Sequence, residues 1–302
     1  MKNNSLEGHS GCKLFLLKSE SSDHIEGVRK FSKDKEYNKR LKAQSKKQSE
    51  FNSKHFLVPR VIHEGEVDGI YYFDMEYIRG ATLSSSIMQL NASEIENIAN
   101  KITNFIQENA TKNLNESNFE NLVAKKLDTI EKSIKSDDRR NILKNSFSYL
   151  KRFPWKDIDS SKCHGDLTLE NILITENEIY IIDFLDTFFE TWISDISKIL
   201  QDLIVGWSFR NKIINDQITE HEKIKMHLFK DIFCKNINNI SNKINFWEQV
   251  HAYLILDLMR IIPYTKNEEI YKFIEDAILK LTNEVEKGKF YEYINNTMRW
   301  PL

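Results

Sequence analysis

Two textures of hydrophobic and polar positions divide the chain. From Cys12 to about Ile78 short apolar runs alternate with polar residues, which predicts strands. CKLFLLK and IEGVRKFS, separated by the polar SESSDH, read as a hairpin with a long turn. Between Lys33 and Lys54 the large residues Tyr37, Leu41 and Phe51 recur at helical spacing with Gln44 and Gln48 on the same face, so one amphipathic helix is expected. Two more strands, VPRVIHEGEV and GIYYFDMEYI, meet through Asp68-Gly69, a favourable turn pair. After Gly80 the period becomes helical, with helices predicted for Ala92 to Ala110, Asn118 to Ile134, and Asp138 to Phe153, the last stopped by Pro154. NILITENEIYIIDF breaks this run as a second hairpin turning at Glu176-Asn177-Glu178. Helices then resume at Ser194 to Ile204, Thr219 to Lys235, Phe246 to Ile262 and Glu268 to Glu286. No fixed-period repeat or low-complexity tract appears.

Composition changes this picture little. At 302 residues two lobes or one large unit are expected, and 40% hydrophobic with 29% charged residues suits a chain folded throughout. Lys+Arg 43 against Asp+Glu 45 leaves a net charge of −2, which creates no global attraction to nucleic acid or anionic lipid. The basic stretch Lys30 to Lys54 is interrupted by Glu36 and Glu50 and reads as a solvated helix surface. No apolar run approaches the roughly 18 residues of a membrane helix, so a soluble cytoplasmic location is expected. The cysteines, Cys12, Cys163 and Cys234, are odd in number and form no C-x-x-C pair, so they read as reduced thiols.

The informative text is His164-Gly165-Asp166-Leu167-Thr168-Leu169-Glu170-Asn171, followed by ILIT, a tight turn, and IYIID ending at Asp183. Phosphoryl transfer from a nucleotide requires a carboxylate near the attacking hydroxyl and oxygen ligands for Mg2+. Asp166 and Asn171 stand at the two ends of one loop, and the hairpin is expected to return Asp183 to the same cleft. The plain alternative is that Asp166 and Asp183 are loop caps beside a buried hairpin.

This segment resembles the catalytic loop and metal-binding motif of the protein-kinase superfamily. Its HGDL form is similar to the aminoglycoside phosphotransferase and choline kinase branch, whereas protein kinases usually carry Arg at the place of Gly165. The resemblance implies an α+β, bilobal protein-kinase-like fold, with a small antiparallel-sheet N-lobe carrying one helix (residues 1–79) and a larger, mainly helical C-lobe (residues 80–302). It implies ATP and Mg2+ as cofactors and a small-molecule alcohol as acceptor. Carried over by position, it makes Asp166 the group that orients and deprotonates the acceptor hydroxyl. Asn171 and Asp183 become Mg2+ ligands, Asp195 braces the loop, and His164 is scaffolding. Lys30 takes the place of the lysine on the α- and β-phosphates. Phe73 to Gly80 resembles the hinge, offering the Glu76 carbonyl and the Ile78 N–H to adenine.

Four features depart from the family pattern or stay open. Gly8-His9-Ser10-Gly11 lacks the full glycine-rich motif, so Ser10 and Gly11 belong either to a phosphate-covering turn or to an ordinary tight turn, and little chain precedes them for a strand. The helix after Lys30 offers glutamine where the family has Glu, so either Gln44 or Gln48 substitutes. Leu185 replaces the Gly of D-F-G and no A-P-E follows, which disfavours a protein acceptor, while Asp186 is a metal or acceptor ligand or a loop cap. Trp192, Trp207, Tyr264 and Trp300 either line an acceptor pocket or pack in the core.

The leading expectation is therefore a small-molecule kinase for a sugar, amino alcohol or aminoglycoside-like acceptor. IDFLDTFFETWISDISKILQDL resembles phosphotransferases of bacterial surface-polysaccharide genes and tilts the acceptor toward a sugar-related metabolite. The alternative is a catalytically inactive kinase-like nucleotide-binding module. Oligomeric state is not legible.

Overall fold

The computed structural model describes residues 5–7, 11–18, 25–111, 118–241, 245–285, 288–296 and 300–301. Packing divides the chain into two units, Met1–Thr82 with Asn171–Thr187, and Leu83–Glu170 with Phe188–Leu302. The hairpin 171–187, expected with the helical part, groups with the first unit.

The first unit holds a five-stranded antiparallel sheet in the order β1-β2-β3-β5-β4. Its strands are β1 (Ser5–Glu7), β2 (Lys13–Lys18), β3 (Ile25–Phe31), β4 (Val61–Val67) and β5 (Ile70–Glu76). The short chain before Gly11 does form a strand, β1, which pairs Leu6 with Leu14. β4 and β5 join through Asp68 and Gly69 at φ 53° and 76°, the two left-handed residues that the tightest hairpin turn demands. Helix α1 (Asn38–Glu50) starts later than its periodicity suggests, because the Asp34 carboxylate accepts the Tyr37 N–H and fixes a turn ahead of it. Its Leu41 is wholly buried with Cys12, Tyr71 and Phe73, and this cluster fastens α1 to the sheet. A second, three-stranded sheet consists of β6 (Ala81–Thr82), β7 (Ile172–Ile174) and β8 (Ile179–Ile181). Leu57 adds a bridge to Tyr180, which is why the hairpin belongs with this unit.

The second unit is helical: α2 (Leu83–Ser86), α3 (Ala92–Ala110), α4 (Phe119–Ser133), α5 (Asp137–Ile142), α6 (Lys144–Arg152), α7 (Trp192–Leu200), α8 (Arg210–Ile214), α9 (Glu220–Ile240), α10 (Phe246–Ile261), α11 (Glu268–Asn283) and α12 (Phe290–Asn296). Asn91 with Glu94 and Thr219 with Glu222 form capping boxes that start α3 and α9. The single helix expected from Asp138 to Phe153 is broken at the fully buried Leu143. α5 buries nothing, while α6 buries Phe147 and Leu150, so the break re-aims only the second half at the core. α7 continues through a π-helical turn, Gln201–Val205, that ends at Gly206. α10 runs through the centre, with every residue from Gln249 to Met259 buried, so its apolar stripe spreads round the whole helix. Among the described residues no helix is long and apolar enough to cross a membrane.

His251 lies in this core, its Nε2 2.9 Å from the Leu281 carbonyl, its Nδ1 3.2 Å from the Tyr149 hydroxyl and its ring stacked on Phe290. Burial holds the imidazole down at about 4, against the pull of the Leu281 carbonyl. The folded pKa is thus depressed below the ordinary 6.5, so the stability it contributes is present above that value and lost as pH falls toward 4. His251→Gln is expected to unfold more easily at pH 7.5, by roughly 1 kcal/mol, yet to lose less between pH 6.5 and 4.5 than the wild type. Melting curves at both pH values check this, and an equal acid loss in both proteins refutes it.

Candidate active site

β3 carries Lys30 by alternation. Its neighbour Arg29 points to the opposite face, where it pairs with both oxygens of Asp74 at 2.7 and 2.8 Å and lies over the Tyr72 ring. Lys30 points inward and is buried, with Nζ 2.5 Å from Asp183 Oδ1 and 3.4 Å from Gln44 Oε1. Burial alone would lower the ammonium, but the charge and hydrogen bond of Asp183 outweigh it and leave the Lys30 pKa raised. Of the two glutamines α1 offers, Gln44 faces Lys30. Gln48 turns instead to the Pro59 carbonyl, at 2.8 Å, and to the Met75 sulfur.

Asp183 has φ 62°, a left-handed conformation that costs a non-glycine residue on the order of 1 kcal/mol. The strain is held by the segment that follows: Phe184 packs on Phe51 with centroids 4.7 Å apart, and Lys47 donates to the Leu185 carbonyl at 3.0 Å. Asn171, at the start of the hairpin, accepts the Ile182 N–H on its carbonyl at 3.0 Å, so the backbones of Asn171 and Asp183 lie on adjoining rungs. Among the described residues no group of three or more His, Cys, Asp or Glu gathers to hold a metal alone. An amide oxygen and a carboxylate are hard donors of the type that suits Mg2+ when phosphate oxygens complete its shell.

In the second unit the loop containing Asp166 is gripped by one stripe of α7 and its π-helical continuation. Asp195, fully buried, accepts the N–H groups of His164 and Gly165, each at 2.8 Å. Lys198 lies 3.2 Å from Asp166 Oδ1. Asp202, also fully buried, accepts the Leu169 N–H at 2.6 Å and the Ser208 N–H at 2.7 Å. Positions 195, 198 and 202 follow i, i+3, i+7 and therefore share a face. The His164 ring is buried and its Nδ1 accepts the Asp166 N–H at 3.2 Å. Gly165 sits at φ 92°, a left-handed conformation that glycine adopts without strain.

The remaining candidates fall in varied places. Glu76 ends β5 with its N–H on the Arg60 carbonyl, and Ile78 lies in the irregular segment beyond, its carbonyl accepting the Gly80 N–H. Gly11 is exposed at φ 75°, and Ser10 lies outside the described residues. Asp186 is exposed. Of the aromatics, Trp300 is buried with its indole N–H on the Asp202 carbonyl, and Trp192 stacks on Phe246. Trp207 is covered by Arg210, and Tyr264 stands exposed.

The Phosphotransferase enzyme family model matches residues 28–213, more than half of the chain. The chain belongs to this family. A search of curated proteins finds no match. Solved structures do match along nearly the whole length. A thermostable mutant of aminoglycoside phosphotransferase APH(4)-Ia, in ternary complex with AMP-PNP and hygromycin B, is 13% identical with a TM-score of 0.63, covering 94% of this chain and 95% of that one. APH(3'')-Id from Streptomyces rimosus is 14% identical with a TM-score of 0.57, over 85% and 92% of the two chains. A choline/ethanolamine kinase family protein from Mesorhizobium loti is 12% identical with a TM-score of 0.58, over 98% and 93%. The expected α+β kinase-like fold and the aminoglycoside phosphotransferase and choline kinase branch are thereby borne out.

Of these three residues of the phosphotransferase, Asp195 is named from the sequence above and Lys198 and Asp202 are not. The signal was available as the helical spacing D-x-x-K-x-x-x-D, which puts all three on one face. Burial pushes the Asp202 carboxyl up to about 7, against the stabilising N–H groups of Leu169 and Ser208. A carboxyl raised in the folded state contributes stability that is present below its ordinary value near 4 and is lost as pH rises through 7. Asp202→Asn is expected to remove that decline, so that unfolding free energy from urea titrations at pH 5 and 7.5 drops less with rising pH than in the wild type. A pH response identical to that of the wild type would count against a buried titration.

Proposed function

We propose that the protein is an ATP-dependent phosphotransferase that phosphorylates a hydroxyl of a small molecule, with Asp166 as the base. The observation that carries this reading is the gripped loop. Asp195 spends its carboxylate on two backbone N–H groups, which leaves the Asp166 side chain, 24% exposed, held in place on a rigid turn. Membership of the phosphotransferase family supports the reaction class, and ATP as donor is suggested by relatives whose complexes contain AMP-PNP or ATP.

In this reading Asp166 accepts the proton of the acceptor hydroxyl as its oxygen bonds to the γ-phosphorus, and the β–γ bridging oxygen leaves with ADP. The Lys30 ammonium holds the α- and β-phosphates. Asn171 and Asp183 hold Mg2+, which when bound neutralises charge on the phosphates. The Glu76 carbonyl and Ile78 N–H pair with adenine, and the turn at Gly11 covers the phosphates. His164 and Asp195 keep the loop in shape, and Gln44, not Gln48, stands as the neutral partner of Lys30. The acceptor is a sugar, amino alcohol or aminoglycoside-like compound, with a surface-polysaccharide metabolite favoured by sequence resemblance.

A second reading, nucleotide binding without turnover, draws on Gln44, a neutral amide that orients Lys30 less strongly than a carboxylate would. Assays separate the two. Asp166→Asn is expected to lower turnover by at least about 10²-fold, the usual contribution of a general base, while the melting-temperature shift with Mg-AMP-PNP survives. Asp183→Ala is expected to abolish the metal-dependent part of that shift. ATP consumption that no hydroxyl compound stimulates would favour the binding module, and full activity in Asp166→Asn would remove Asp166 as base.

A further inference from the structure

Five carboxylates around the Asp166 loop are engaged within their own unit, and Glu190 beside them takes the Cys163 thiol at 3.3 Å. Asp166 is paired with Lys198, whose ammonium also donates to Gln201 Oε1 at 3.3 Å. Glu170 faces Arg210 at 3.3 Å, and the guanidinium is backed by the Trp207 ring. Asp257, fully buried, binds Arg260 at 2.7 Å and also takes the Ser197 hydroxyl. Asp195 and Asp202 are spent on backbone N–H groups. Arg260 lies over Phe188 and feels the Asp166 charge as well, so two cations bear on the proposed base.

An acceptor that carries ammonium groups leaves water only if carboxylates replace its hydration. Here that counter-charge is supplied in advance by the protein's own lysine. The balance becomes more one-sided during reaction. As Asp166 takes up the hydroxyl proton it loses its charge, and Lys198 is left as a bare cation beside an oxygen that is acquiring a phosphoryl group. That cation attracts the arriving phosphoryl oxygens and repels a neighbouring ammonium.

We propose that Lys198 determines the acceptor class: as the built-in counter-ion of Asp166 it selects uncharged or acidic hydroxyl compounds of the sugar type and excludes those bearing an ammonium group beside the reacting hydroxyl. The inference deepens the proposed function and rests on Asp166 as its base. It also sets this chain apart in charge from a site for polycationic acceptors, although the fold is shared.

The test compares the full-length wild type with Lys198→Met, and with Lys198→Gln in case the apolar replacement disturbs folding, each checked by its melting temperature. Dissociation constants for kanamycin, choline, glucose and glucuronate are measured by ligand-observed NMR in the presence of Mg-AMP-PNP. Removing the lysine is expected to raise the affinity for kanamycin or choline at least tenfold relative to glucose, and to weaken glucuronate. A cation-to-glucose ratio that changes less than tenfold in the folded variant overturns the proposal. So does phosphorylation of kanamycin or choline by the wild type. Failure of Mg-AMP-PNP to shift the wild-type melting temperature would instead sink the nucleotide reading, because that shift reports on Lys30 and Asp183 and not on Lys198.

Discussion

A buried carboxylate with two backbone N–H groups in its grasp is the constraint on which the candidate site depends. Asp195 has no access to water, and the N–H groups of His164 and Gly165 both donate to its carboxylate and help to offset its burial. The reverse also holds, since those two N–H groups are buried and need an acceptor. The loop and α7 therefore stabilise each other, and neither is free to drift while the bonds last. Lys198 and Asp202 extend the same logic along one helical face, so that three side chains hold the loop at its start, its middle and its end.

The first unit solves a different problem with the same physics. Lys30 is buried on the inner face of a sheet, where an unpaired ammonium would be costly, and Asp183 supplies the charge that keeps it protonated. Asp183 adopts a strained backbone to do so, and Phe184 and Leu185 are fastened to α1 by packing and by Lys47. Gln44 adds a neutral acceptor. A carboxylate there would compete with Asp183 for the same ammonium, so the neutral amide leaves the Lys30–Asp183 pair dominant.

Much of this was legible along the chain because it is local. The alternation that turns Lys30 inward and Arg29 outward, the Asp68-Gly69 turn and the caps of α3 and α9 depend on residues a few positions apart. The break at Leu143 was hidden, since a helical period runs on through it and only core packing decides that the second half must be re-aimed. The choice between Gln44 and Gln48 was equally hidden. Both lie on one stripe, and the Pro59 carbonyl that claims Gln48 comes from the loop after α1, whose path back along the helix only the fold sets.

By itself the sequence determined which residue types are present, their order, and the local periods that set strands, helices and turns. That was enough for the fold class and for a loop bearing Asp166. Tertiary structure alone decided which partners each charge finds. Burial removes the water that would otherwise serve every ion alike, so a carboxylate such as Asp202 or an ammonium such as Lys198 takes its properties from groups brought near in space, whatever their separation along the chain.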